Sequence, residues 1–79
     1  MKKWCLLKTS DGSRGQAGKK KVYEVVLDGN VVRTSWGMAE KPSRQSAVQT
    51  FYSAQSANYA AQLKVSEKLG RGYVLAYEV

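Results

Sequence analysis

Two β-rich runs, Lys20 to Leu27 and Val31 to Trp36, flank the tripeptide Asp28-Gly29-Asn30, and this arrangement restricts the fold more than any other feature. Two-residue hairpin turns need positive φ at their central positions, which Gly and Asn tolerate most readily. The spacing therefore predicts an antiparallel hairpin. Alternation along the first strand puts Tyr23, Val25 and Leu27 on one face and Val22, Glu24 and Val26 on the other. On the second strand Val32, Thr34 and Trp36 oppose Val31, Arg33 and Ser35. Neither face is wholly polar, which suits a sheet covered on one side and partly shielded on the other.

The rest of the chain builds outward from this hairpin. Gly37 to Pro42 breaks the β pattern, and Gln45 to Tyr52 resumes it, with either Ala47 and Phe51 or Val48 and Tyr52 turned inward. Ser53 occupies a helix N-cap position, and no Gly or Pro follows until Gly70, the expected positive-φ stop. Helical spacing aligns Ala54, Ala57, Ala61, Val65 and Leu69 in a mostly small-residue stripe, leaving Tyr59 and Leu63 outside it. Tyr73 to Val79 reads as a closing strand, with Tyr23, Tyr52, Tyr73 and Tyr77 expected to pack in the core. Trp4 to Lys8 is either a further strand or a ragged end. The three glycines between Thr9 and Gly18 predict a flexible loop over residues 9–19. Seventy-nine residues support one small core, so residues 1–79 are read as a single domain. The expected class is α+β, a small antiparallel sheet of four or five strands with one helix packed across it.

Composition narrows the chemistry. Thirteen Lys and Arg against six Asp and Glu give a net charge of +7, without a single His. That removes Ser-His-Asp and Cys-His triads and histidine metal sites, and the lone Cys5 forms neither an internal disulfide nor a cysteine-rich zinc module. The carboxylates Asp11, Glu24, Asp28, Glu40, Glu67 and Glu78 show no acid–base spacing. Gly12, Gly15 and Gly18 lack the Gly-Lys-Ser/Thr ending of a phosphate loop. No apolar run is long enough to cross a bilayer, and the Trp4 to Leu7 run is too short for a secretory signal. The expectation is a cytoplasmic, non-catalytic, monomeric protein with no cofactor and no metal.

The order of certain residues resembles a known family. Val22-Tyr23-Glu24-Val25, a hairpin, Trp36-Gly37, a basic loop, a strand ending in Phe51, an Ala-rich helix and Lys68…Gly72-Tyr73-Val74 resemble the WGR domain, named for a Trp-Gly-Arg tripeptide. This module occurs in DNA-dependent poly(ADP-ribose) polymerases and as small free-standing bacterial proteins. In the polymerases it binds a DNA end with its Trp near the terminal nucleotide. The resemblance implies such a contact at Trp36 and Gly37. Met38 stands where the signature has Arg and cannot inherit that residue's charged contacts. Arg44-Gln45 stands where the family usually shows Gly-Gln.

Basic residues interleaved with aromatic ones are the means of non-specific nucleic-acid binding, charge tracking the backbone while rings stack on bases or sugars. The candidate contacts are Trp36, Gly37, Lys41, Arg44, Gln45, Arg33, Lys20 and Lys21. Arg33 has a competing expectation, a cross-strand pair with Glu24. Lys64 and Lys68 are expected to lay their stems beside the apolar stripe with their ammonium groups in water. The expected partner is nucleic acid, DNA ahead of RNA, recognised at ends or nicks. The alternative is a protein-interaction module using a Trp36/Met38 patch.

Overall fold

The computed structural model describes residues 1–9, 20–38 and 44–79. Its elements are β1 (Lys2–Thr9), β2 (Lys20–Asp28), β3 (Val31–Met38), β4 (Gln45–Thr50), α1 (Ala54–Gly70) and β5 (Val74–Glu78). The strands form one antiparallel five-stranded sheet in the order β4-β3-β2-β1-β5, and the helix packs across β1, β2 and β3.

The β2–β3 hairpin turns at Gly29 and Asn30, with Asp28 opposite Val31 and Gly29 at φ 62°. Asn30 then ties the turn to the end of β4. Its carbonyl accepts the Phe51 amide at 2.8 Å, and its side-chain Nδ2 donates to the Phe51 carbonyl at 2.9 Å. Trp4 to Lys8 is no ragged end: β1 lies inside the sheet, paired with β2 on one side and β5 on the other. Thr9, expected in a flexible loop, pairs with Lys20, and residues 10–19 fall outside the described ones. The β1–β5 ladder ends in reciprocal bonds between Lys3 and Val79 at 3.2 and 2.8 Å.

Register sorts the side chains. Trp4, Leu6, Tyr23, Val25, Val32 and Thr34 turn toward the helix and are buried there with Ala57, Ala61 and Val65. Alanines at two of the three buried helix positions let the helix lie close to the sheet. Leu6, Val25 and Val32 are fully enclosed, each contributing about 1.5–3 kcal/mol of hydrophobic stabilisation. The opposite face carries Lys3, Cys5, Val22, Glu24, Arg33 and Val48. Cys5 is buried as a free thiol, while Val48 is exposed. On β4, Ala47 therefore turns inward and Val48 outward, and Phe51 packs at the margin of the core.

Several expected positions are corrected. Tyr52 and Tyr77 are exposed, because Tyr52 sits in the bend before the helix and Tyr77, paired with Cys5 on the edge strand β5, lies on the face turned away from the helix. Ala54 and Leu69, the two ends of the expected stripe, also stay exposed, since only the middle of the helix overlies the sheet. The helix begins at its predicted cap, the Ser53 hydroxyl accepting from the Ser56 amide at 3.2 Å. It continues through Gly70, however, and the positive-φ residue is Gly72, at φ 99°.

Candidate functional site

The Arg71-Gly72 turn sets the site. The Arg71 amide donates to the Lys68 carbonyl at 3.0 Å, Gly72 to Leu69 at 3.3 Å, and Tyr73 back to Lys68 at 3.1 Å. This reversal delivers the Tyr73 ring edge-on to Tyr23, 6.2 Å between centroids and 62° between planes. On the other side of Tyr23, its register partner Trp36 lies at 6.3 Å and 31°. Both separations fall in the range of favourable aromatic pairs. Trp36 is half-buried, so part of the indole remains accessible.

These three rings line a cleft of about 300 Å³ with Thr34, Ala47, Lys64 and Lys68. Thr34 and Ala47 are small neighbours of Trp36 on the helix side of the sheet, and their size leaves the space open. Lys64 and Lys68, one helical turn apart, lean over it from the helix. The Lys68 ammonium lies 4.8 Å from the Tyr23 centroid and 5.9 Å from that of Tyr73, and Lys8 lies 5.8 Å from Tyr73. All three distances suit cation–π attraction. The expected reach of the Lys68 ammonium into water is thus replaced by a seat on the rings. Burial, then the charge of Glu67 and the neighbouring Tyr73, push the Tyr23 phenol above its ordinary value, so it stays protonated and neutral.

The candidate residues divide between the two faces of the sheet. Trp36, Gln45 and Lys21 share the helix side, Trp36 directly opposite Gln45. Arg33 and Lys20 lie on the other side by alternation, at register positions opposite Val26 and Thr9, and Gly37 pairs with Val22 next to Trp36. Arg44 also belongs to the far side, because its guanidinium pairs with Glu24. The expected Arg33–Glu24 pair does not form: Glu24 stands opposite Ser35 and is held by Lys3, at 2.9 Å, and by Arg44. Burial pulls the Glu24 carboxyl upward, but the hydrogen bonds and charges of Lys3 and Arg44 outweigh it and hold the group below its ordinary value. The Lys3 ammonium is raised in turn, mainly by its hydrogen bond to Glu24. Lys41 lies outside the described residues.

Sequence reasoning assigns Tyr23 and Tyr73 to the core and Lys64 and Lys68 to the flank of a stripe, and so misses the cleft. The signal that finds it is conjunction. Tyr23 and Trp36 alternate onto one face of a hairpin, and Lys64 and Lys68 flank the helix stripe that must cover that face.

Chemically the cleft offers ring faces, fixed cations and the Thr34 hydroxyl, a set suited to a flat anionic ligand such as a nucleotide. Among the described residues its lining includes no carboxylate or thiol. Among the described residues no cluster of three His, Cys, Asp or Glu side chains is placed to hold a metal ion, and no helix is long and apolar enough to cross a membrane. Comparison with curated proteins and with solved structures found no match. Comparison with family models matched the WGR domain over residues 4–78, from β1 through β5. The chain belongs to the WGR domain family, a family of nucleic-acid-binding modules.

Proposed function

We propose that this domain binds DNA ends or nicks without catalysing a reaction, one terminal nucleotide packing against Trp36 in the cleft while Lys64 and Lys68 meet its phosphates. The observation that carries this reading is the meeting of three aromatic rings and two lysines in one cleft of about 300 Å³. Phosphate neutralisation supplies sequence-independent affinity, and an aromatic face accepts any base or sugar. A cleft of that size suits a single nucleotide better than a stacked base pair. A nucleotide free to enter it occurs at an end, at a nick or in a single strand.

Sequence-specific readout has little support. The helix spends its middle face on the sheet, and its exposed side carries Gln55, Asn58, Tyr59, Gln62 and Leu63 with no arginine.

The test is a fluorescence-anisotropy titration of nicked, blunt-ended, circular and single-stranded DNA, with a matched RNA, at low and rising salt. The expected result is preference for molecules with an end or nick, weakening as salt rises with a log–log slope near −0.9 per phosphate contact. Trp36→Ala is expected to lose about 5- to 150-fold in affinity, the equivalent of about 1–3 kcal/mol of stacking. Flat titrations, equal affinity for circular duplex, tighter binding to RNA or an unaffected Trp36→Ala variant would each overturn the corresponding part.

A further inference from the structure

Strand register places a row of side chains beside the cleft that its lining residues do not include. Lys8 on β1 is opposite Lys21 on β2, which is opposite Met38 on β3. All three project on the helix side, one step beyond the row Leu6, Tyr23 and Trp36. Like charges directly opposite one another in an antiparallel pair repel, so the Lys8–Lys21 pairing needs a physical reason. Lys8 resolves its half by turning away, donating to the Arg71 carbonyl at 2.9 Å and facing the Tyr73 ring. Lys21 is left exposed. Among the described residues the ion pairs join Lys2 to Glu78, and Lys3 and Arg44 to Glu24, and none of them involves Lys21.

We infer that Lys21 is a phosphate-binding residue, fixing the path of the nucleic-acid backbone across the β1–β2 end of the helix side, away from Arg44. This rests on the nucleic-acid reading above and adds to it a direction and a residue. The backbone leaves the Trp36 cleft past Lys68 and Lys8 and crosses Lys21, where a bound phosphate turns the Lys8–Lys21 repulsion into shared attraction. The row carries two cations and no third. Met38, the uncharged member two residues beyond Trp36 on the same face, keeps the unbound sheet from holding three like charges abreast.

The experiment pairs binding with melting for Lys21→Gln and for the charge-relocating variant Lys21→Gln/Met38→Arg, using a nicked DNA duplex as probe. Lys21→Gln is expected to weaken binding about eightfold at 0.1 M salt and to flatten the salt slope by about 0.9. Its Tm is expected to rise by a few degrees because the repulsion is gone. Moving the cation to position 38 is expected to restore most of the affinity and the slope. A Lys21→Gln variant with unchanged affinity and slope, in a protein whose binding still collapses with Trp36→Ala, overturns the inference and leaves the cleft reading intact. Absence of binding by the unmodified protein overturns both.

Discussion

Replacing Glu24 with Gln isolates the charged network that Glu24 forms with Lys3 and Arg44 on the face opposite the helix. The carboxylate is 16% exposed and accepts from Lys3 and Arg44, whose side chains are 37% and 33% exposed. These pairs sit nearer the surface limit than the buried one, where each is worth roughly 0.2–1 kcal/mol. Gln preserves shape and one acceptor while losing the charge. The loss is therefore about 0.4–2 kcal/mol, or a fall in Tm of about 2–16 °C for a domain of this size. The pH dependence gives the sharper signature. Because the folded pKa of Glu24 lies below its ordinary value of 4.5, the carboxylate's contribution is complete above that value. It disappears as pH falls through the lowered one. At the alkaline end the raised Lys3 sustains the pair until it loses its proton, above its ordinary 10.5. Circular-dichroism melts of both proteins from pH 2 to 8 are expected to show a constant gap above about pH 5 that closes on acidification. A gap that is absent at pH 7, or one that persists undiminished at pH 2, would refute the argument.

Three other substitutions test the turns and the cap that frame the helix and the hairpin. Gly72→Ala is expected to lower Tm by about 4–16 °C: its φ of 99° costs an alanine about 1–2 kcal/mol, whereas the new methyl would meet only Lys8 Cε at an ordinary 3.5 Å. Gly29→Asn, at φ 62° with open space around it, is expected to shift Tm far less in the same melting experiment, because Asn visits that region readily. Ser53→Ala removes the cap bond to Ser56 and is expected to cost about 1 kcal/mol, or about 4–8 °C in Tm. DNA affinity measured by anisotropy should stay unchanged in that variant, since Ser53 lies at the opposite end of the helix from Lys64 and Lys68.

Local chemistry made much of this fold readable. The Gly29-Asn30 turn, the alternation that puts Tyr23, Val25 and Trp36 on one face, and the Ser53 cap each follow from interactions among residues close in sequence. What escaped depends on partners far along the chain. Trp4 to Lys8 becomes an inner strand only because β5 arrives on its free side, and Tyr77 stays exposed because that pairing sets it opposite Cys5, at an edge and on the face without the helix. Gly70 and Gly72 both satisfy a stop signal, and the choice between them falls where Tyr73 packs against Tyr23. For the site, Trp36 and Lys21 were visible candidates, but the separation of Arg44 from them was not. It is decided by Glu24, a residue twenty positions away.

The reciprocal bonds joining Lys3 and Val79 give the domain a mechanical weak point. Force applied through those two residues pulls the outermost rungs of an antiparallel ladder apart one at a time instead of shearing all of them together. The Lys2–Glu78 ion pair lies at that same outermost rung and resists first. Tyr77 then peels from Cys5 and Leu75 from Leu6, opening the helix-covered interior from its β1 side. Under tension this domain therefore tears like a zipper opened from its loose end, and the rim of the aromatic cleft on β2 and β3 comes apart late.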